Sequence, residues 1–159
     1  MKSILPNLSQ YKIVLGSNSP RRRELLAGLD IDFEVQTIPD IDESFPKTLR
    51  SDEVPVYIAR KKAEAYISSM SADELLITAD TIVWTFSEIL GKPKDREDAI
   101  AMLRKLSGHV HEVITGVCIT TKEKTVSFSA SSTVCFARLD DDEICLLYTS
   151  DAADDRISV

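Results

Sequence analysis

Residues 13–26 constrain the fold of this chain most, because a short apolar run leads through a turn of small residues into an amphipathic helical pattern. The turn reads Gly-Ser-Asn-Ser, and Pro20 fits near the first helical position, where its missing N–H costs nothing. Ser17 and Ser19 are candidate caps for the helix, and Gly28 is expected to close it. Exposed backbone N–H groups and the positive end of the helix dipole then point at one spot, which is a potential anion cradle.

Three consecutive arginines, residues 21–23, lie just inside this helix. Cations at a helix start oppose the dipole. A bound anion would reverse that penalty, because guanidinium groups bind phosphate oxygens through paired hydrogen bonds. The alternative is a capped helix start with a solvated basic face. The turn of small residues before Pro20 favours a phosphate site.

Composition excludes several classes of function. The chain has 159 residues and a net charge of −7, which argues against a general nucleic-acid binder. Neither a signal-peptide pattern nor an apolar run of membrane-spanning length is found, so we expect a cytoplasmic protein without a membrane partner. The three cysteines are not at metal-ligand spacing, and Cys118 and Cys135 are interpreted as small core residues.

An acidic loop, an aspartate and a lysine are further candidates for metal binding, catalysis or anion binding. The acidic loop, residues 39–46, is either solvated or a site for a hard divalent cation. Asp80 lies between two apolar strand-like runs, where it is either an Asx-turn residue or, as we favour, a catalytic or metal-facing carboxylate. Lys62 lies at the edge of the apolar stripe of a helix over 54–69, so it either extends to water or reaches a buried anion.

The predicted elements follow the order β-α-β, α-β-β, α-β-β, which indicates an α/β fold with a mixed sheet. Asp52 and Asp95 are expected to cap the second and third helices. Residues 109–121 and 124–138 alternate in polarity and predict a long antiparallel pair. His109 and His111 share a strand face, but without a third ligand nearby we interpret them as structural.

Five motifs occur in order along the chain. They are Ser17-Asn18-Ser19-Pro20-Arg21-Arg22, Ala59-Arg60-Lys61-Lys62-Ala63, Ala79-Asp80-Thr81, Leu90-Gly91-Lys92-Pro93 and Leu106-Ser107-Gly108-His109. Together they resemble the Maf family of nucleoside triphosphate pyrophosphatases, from about residue 13 to about residue 144. The resemblance implies an elongated mixed-sheet α/β fold, also similar to that of inosine triphosphatases, with a cleft between two lobes. It also implies a homodimer when full length.

The resemblance assigns roles to individual residues. Ser17, Arg21 and Arg22 would hold the substrate phosphates from the first loop and helix. Lys62 and Lys92 would close on the phosphates from the other lobe. The remaining residues that the resemblance assigns are Asp80, as general base or metal ligand, Glu43, as a metal-site carboxylate, and Arg21 and Thr81, as specificity residues. The implied cofactor is Mg²⁺ or Mn²⁺.

The implied reaction cleaves a nucleoside triphosphate between its α- and β-phosphates, giving the monophosphate and pyrophosphate. The first and third motifs resemble the branch that acts on dTTP, UTP and modified pyrimidine nucleotides. Two alternatives remain: a purine-directed inosine or xanthosine triphosphate pyrophosphatase, and a nucleotide-binding regulator of cell division without turnover.

The C-terminus departs from the family pattern. The resemblance implies a further motif, strand and helix after Ile144, which this chain lacks. Residues 145–159 resemble a translated sequencing adapter. We therefore expect an incomplete domain over residues 1–144 and a non-native tail over residues 145–159.

Overall fold

The computed structural model describes residues 8–91 and 93–149, without the side chains of residues 145 and 147–149. Its elements alternate in the predicted order. They are β1 (Lys12–Leu15), α1 (Pro20–Ala27), β2 (Phe33–Val35), α2 (Glu53–Ile67), β3 (Glu74–Thr85), β4 (Glu88–Leu90), α3 (Arg96–Leu106), β5 (Val110–Thr120), β6 (Thr125–Cys135) and α4 (Asp141–Thr149). The predicted tail over 145–159 therefore lies largely outside the described residues.

The described strands form one mixed sheet, as predicted. Its order is β2-β1-β3-β5-β6, and β4 pairs with β3. β1 runs parallel to β2 and to β3, and Leu15 lies opposite Ile77 in the β1–β3 register. The carboxyl ends of β1 and of the first half of β3 therefore meet at one place, which positions the loop after β1.

The chain divides into two compact units. The first comprises the described residues up to Asp80 together with Gly116–Ser129. Its core contains buried residues of β1, α2, β3, β5 and the connection between α2 and β3: Val14, Ala59, Ala63, Tyr66, Met70, Leu76 and Cys118. Gly116 lets β5 approach the start of α2, since a Cβ there would lie 2.3 Å from the Pro55 carbonyl carbon.

The second unit comprises Thr81–Thr115 and the described residues from Ala130 onward. Ala99, Leu103 and Ile144 form its buried core, which joins α3 to α4. Asp95 caps α3 as predicted, and its side chain accepts the Asp98 N–H at 2.8 Å. Phe86 and Ser87 both have positive φ and form the turn between β3 and β4.

Three local predictions were wrong. α1 is not amphipathic: none of its residues is buried and Leu25 is 62% exposed, so polar contacts at its N-terminal end hold it. Asp52 makes no side-chain cap, because its backbone is already helical and the Arg50 carbonyl accepts the Glu53 N–H. Cys135 is exposed because it ends β6, the last strand in the described sheet order.

No helix in the described ranges is long and apolar enough to cross a membrane.

Candidate active site

The loop after β1 lies against the third strand of the first unit. The Gly16 N–H donates a hydrogen bond to the Ile77 carbonyl at 2.9 Å, extending the β1–β3 pairing by one residue. A Cβ at position 16 would lie 3.1 Å from Thr78 Cγ2 and 3.2 Å from the Tyr66 ring and hydroxyl. Glycine at position 16 therefore permits the close approach that brings the loop containing Ser17 next to β3.

Serine hydroxyls shape the loop and begin α1. Ser19 is the N-cap, and its Oγ accepts the Arg22 N–H at 3.3 Å. Ser17 Oγ accepts the Ser19 N–H at 3.2 Å and the Arg22 side-chain Nη1 at 3.4 Å. Both candidate caps thus organise the turn, which is the arrangement that the sequence predicts.

Arg22 turns its side chain inward. Its Nη1 donates to the Ala79 carbonyl at 3.1 Å as well as to Ser17. Burial lowers the pKa of the Arg22 guanidinium from its usual value, while the negative charges of Asp80 and Glu43 oppose that change. Arg22 is nevertheless a cation at neutral pH, because arginine is not deprotonated in proteins.

Lys62 joins three oxygen atoms. Its Nζ donates to the Ala79 carbonyl at 3.1 Å and lies 3.2 Å from Asp80 Oδ1 and 3.3 Å from Glu43 Oε1. The Lys62 side chain is only 14% exposed. Of the two alternatives for this lysine, the structure therefore supports the contact with a buried anion, the Asp80 carboxylate, rather than extension to water.

Asp80 continues β3 without a turn, which rules out the Asx-turn alternative. Burial raises the pKa of its carboxyl group above the usual range. The Lys62 charge and its hydrogen bond lower that pKa, Glu43 raises it, and Arg22 lowers it. A buried carboxylate beside two cations and a second carboxylate can accept a proton or hold a hard cation.

Glu43 reaches this site from the acidic loop. Its side chain is 48% exposed, so the carboxylate faces both Lys62 and solvent. Lys61 fixes the flanks of the loop, with its Nζ 3.4 Å from Asp42 Oδ2 and donating to the Ser44 carbonyl at 3.2 Å. The loop is therefore attached to α2 rather than merely solvated.

Four predicted residues thus come together in the first unit: Ser17, Arg22, Lys62 and Asp80, with Glu43 at their edge. Arg21 is exposed on α1, and none of the described contacts joins it to this group. Thr81 belongs to the second unit, where its hydroxyl lies 3.0 Å from that of Thr115. Lys92 lies outside the described residues.

Sequence reasoning missed the Ala79 carbonyl, which accepts hydrogen bonds from both Arg22 and Lys62. A backbone acceptor has no signal in the sequence. The contacts of Tyr66 with the turn and with the segment before the acidic loop were missed as well, because its spacing is that of a core residue.

The arrangement fits an anion and a hard cation together. Arg22 and Lys62 supply donors for phosphate oxygens, while Asp80 and Glu43 supply carboxylate oxygens. In the described ranges no three His, Cys, Asp or Glu side chains gather as a metal site. Two carboxylates nevertheless suit Mg²⁺, which is commonly held by one or two carboxylates together with substrate phosphates.

Comparison with known proteins supports the resemblance seen in the five motifs. The model of the Maf-like protein family matches residues 12–154. A dTTP/UTP pyrophosphatase of Parabacteroides distasonis is 67% identical over 141 residues, which are 89% of this chain and 73% of that protein. A dTTP/UTP pyrophosphatase of Bacteroides fragilis is 60% identical over the same shares.

The solved structure of the Staphylococcus aureus Ham1 protein superimposes with a TM-score of 0.53 at 19% identity, over 78% of this chain and 71% of that one. At this identity the likeness concerns the fold, and it agrees with the mixed α/β sheet described above. Because the family model and both bacterial relatives match most of its length, the chain belongs to the Maf-like protein family.

Proposed function

We propose that this chain is a nucleoside triphosphate pyrophosphatase that hydrolyses dTTP, UTP and modified pyrimidine nucleotides to the monophosphate and pyrophosphate. The observation that carries the proposal is its 67% and 60% identity to two proteins named dTTP/UTP pyrophosphatase. The group of Arg22, Lys62 and Asp80 supports it, because the reaction needs phosphate positioning, charge neutralisation and water activation.

In this mechanism the first loop and α1 bind the phosphates. Ser17 and Arg22 donate hydrogen bonds to phosphate oxygens, since Arg22 contacts both Ser17 and the middle of β3, next to Asp80. Lys62 neutralises the charge that develops as the bond between the α- and β-phosphates breaks. Its contacts with Asp80 and Glu43 hold the ammonium group in place before substrate arrives.

Asp80 acts as the general base in this proposal. Its carboxylate takes a proton from the attacking water, and the raised pKa that burial gives it makes it a better base than an exposed aspartate. The oxygen of that water forms the new bond to phosphorus, and pyrophosphate leaves as the phosphoanhydride bond breaks. Asp80 can instead serve as a ligand for a cation that activates the water.

Glu43 and Asp80 would hold a divalent cation, Mg²⁺ or Mn²⁺. Such a cation would polarise the phosphate oxygens and stabilise the negative charge of the leaving pyrophosphate. Both carboxylates lie within 3.3 Å of Lys62 Nζ, so the ammonium group and a bound cation would have to share these two carboxylates.

Specificity and assembly complete the proposal. Arg21 and Thr81 are proposed to select the pyrimidine base, and Lys92 to bind phosphate, all on the basis of the family motifs. A homodimer and a cytoplasmic location remain predictions, and light scattering of the purified protein tests the first of them.

The test is an assay of product release across dTTP, UTP, ITP and XTP with Mg²⁺ or Mn²⁺. We expect metal-dependent release of pyrophosphate from dTTP and UTP, and its loss in Asp80→Asn. Release of orthophosphate would reject the reaction. Faster hydrolysis of ITP would favour the purine-directed alternative, whereas tight UTP binding without product would favour a regulator.

A further inference from the structure

The hydroxyl of Tyr66 makes two partly buried hydrogen bonds with the segment that leads into the acidic loop. It donates to the Gln36 carbonyl at 3.0 Å and accepts the Ile38 N–H at 3.2 Å. Tyr66 is only 4% exposed. The hydroxyl therefore bonds the Gln36 carbonyl and the Ile38 N–H of the short segment between β2 and the loop.

Tyr66 also lies next to the other parts of the site. It follows Lys62 by four residues on α2, so the two side chains occupy one face of the helix. A Cβ on Gly16 would lie 3.2 Å from the Tyr66 hydroxyl, which places this oxygen against the turn that precedes Ser17. One side chain thus contacts the phosphate-binding turn and the segment before Glu43.

We propose that Tyr66 is a positioning residue whose hydroxyl fixes the acidic loop and thereby keeps Glu43 beside Lys62. This inference rests on the proposed function for its consequence in catalysis. The contact with the loop backbone can be tested without it.

The other attachments of the loop are weaker or less directional. Lys61 donates to the Ser44 carbonyl and pairs with an Asp42 carboxylate that is 72% exposed, but both contacts are exposed to solvent, and exposed ion pairs contribute little in water. Ile41 packs against the core cluster of the first unit, but apolar contacts do not fix direction. The two hydrogen bonds of the buried Tyr66 side chain fix direction, and losing them is unfavourable.

The variant Tyr66→Phe removes the hydroxyl and keeps the ring. Tyr57→Phe is the matched control, because it makes the same change on the same helix, where the ring of Tyr57 faces Lys61 Nζ at 5.5 Å. Hydrogen exchange measured by mass spectrometry should show about tenfold faster exchange over residues 36–44 in Tyr66→Phe. Exchange in α3 should not change, and Tyr57→Phe should resemble the unsubstituted protein.

Activity gives a second readout. Loss of a residue that orients a metal ligand typically lowers metal affinity or activity about 10- to 100-fold. We expect the Mn²⁺ concentration for half-maximal pyrophosphate release to rise about tenfold in Tyr66→Phe, with the KM for UTP within about threefold. Because Tyr66 acts through Glu43, Tyr66→Phe should have little further effect in a Glu43→Gln background.

These outcomes separate the two proposals. If the unsubstituted protein releases no pyrophosphate, the proposed function fails, and hydrogen exchange still decides the role of Tyr66. Unchanged exchange over 36–44, or full additivity with Glu43→Gln, overturns the positioning role. If Tyr66→Phe does not fold, Ile41→Ala loosens the same loop from its apolar side and should raise both exchange over 36–44 and the Mn²⁺ requirement; unchanged values overturn the proposal.

Discussion

Lys62 and Asp80 form an ion pair, with Nζ 3.2 Å from Oδ1 and each side chain only 14% exposed. Removing one partner of such a pair leaves the other as an uncompensated buried charge, which is strongly unfavourable. The neighbouring lysine offers a comparison, because Lys61 is 27% exposed and pairs with the exposed Asp42 instead. Lys61 and Lys62 are therefore expected to differ in their importance for activity.

The first prediction compares Lys62→Met with Lys61→Met. Pyrophosphate release from UTP should fall at least 100-fold in Lys62→Met, since loss of one preorganised donor at developing charge has an effect of about this size. Lys61→Met should change the rate by no more than about threefold, because exposed pairs contribute little. Steady-state kinetics on both variants tests this. Equal losses in the two variants would contradict the proposed role of Lys62.

The second prediction concerns the pKa of Asp80 in the metal-free protein. Burial raises this pKa, the Lys62 charge lowers it and the Glu43 charge raises it. Carboxyl NMR titration should therefore find a pKa above the ordinary aspartate value, moving lower in Glu43→Gln and higher in Lys62→Met. A shift in the same direction in both variants would show that charge does not set this pKa.

A third prediction separates the two arginines of the first motif. Arg22 bonds both Ser17 and the Ala79 carbonyl through Nη1, and its planar guanidinium carries further N–H groups in a fixed fork that the single ammonium group of a lysine lacks. Arg22→Lys should lower kcat/KM for UTP about 10- to 100-fold. Arg21 is exposed and makes none of the described contacts with the candidate site, so of its two predicted roles, phosphate binding and base selection, we favour base selection. Arg21→Lys should therefore change the ratio of dTTP to ITP hydrolysis more than the rate on dTTP itself.

The fourth prediction is a pH dependence of stability. His111 is buried, its Nδ1 has no hydrogen-bond partner among the described residues, and burial lowers its pKa below the ordinary value near 6.5. The unfolded chain then binds more protons than the folded chain just below pH 6.5, so stability falls as pH falls through that range.

Urea unfolding between pH 5 and 7.5 tests this prediction. The midpoint should rise with pH, and His111→Leu should flatten the rise near pH 6.5. The exposed His109 gives the control, and His109→Gln should keep the slope. If His111→Leu leaves the slope unchanged, the pH dependence of stability arises from other titratable groups.

Local patterns predicted much of this fold. The strands β5 and β6, the caps at Ser19 and Asp95, and the mixed sheet follow from side-chain periodicity and capping chemistry. Other local features could not be predicted from such patterns. Asp52 does not cap, because the Arg50 carbonyl is already placed to accept an early N–H of α2, a contact that no propensity reveals.

The candidate site, too, could be predicted only in part from the sequence. Asp80 was recognisable because a carboxylate between two apolar runs is costly unless it is compensated. The compensation itself, from Lys62 eighteen positions earlier, depends on the parallel register that sets Leu15 opposite Ile77 and on α2 packing beside β3. The Thr78 hydroxyl, which donates to the Ala59 carbonyl at 2.8 Å, joins that helix to that strand and carried no sequence signal.

The last prediction concerns the close approach of β5 to α2. A Cβ on Gly116 would lie 2.3 Å from the Pro55 carbonyl carbon and the Val56 nitrogen, and backbone atoms cannot rotate away as a side chain can. Gly116→Ala must therefore displace the start of α2, the helix that carries Lys62. Overpacking of this kind costs about 1–3 kcal/mol.

Gly91→Ala is the matched control, because a Cβ there meets no described atom within 4 Å. Urea unfolding should show the loss in Gly116→Ala and near-unchanged stability in Gly91→Ala; equal midpoints would mean that α2 and β5 can separate freely.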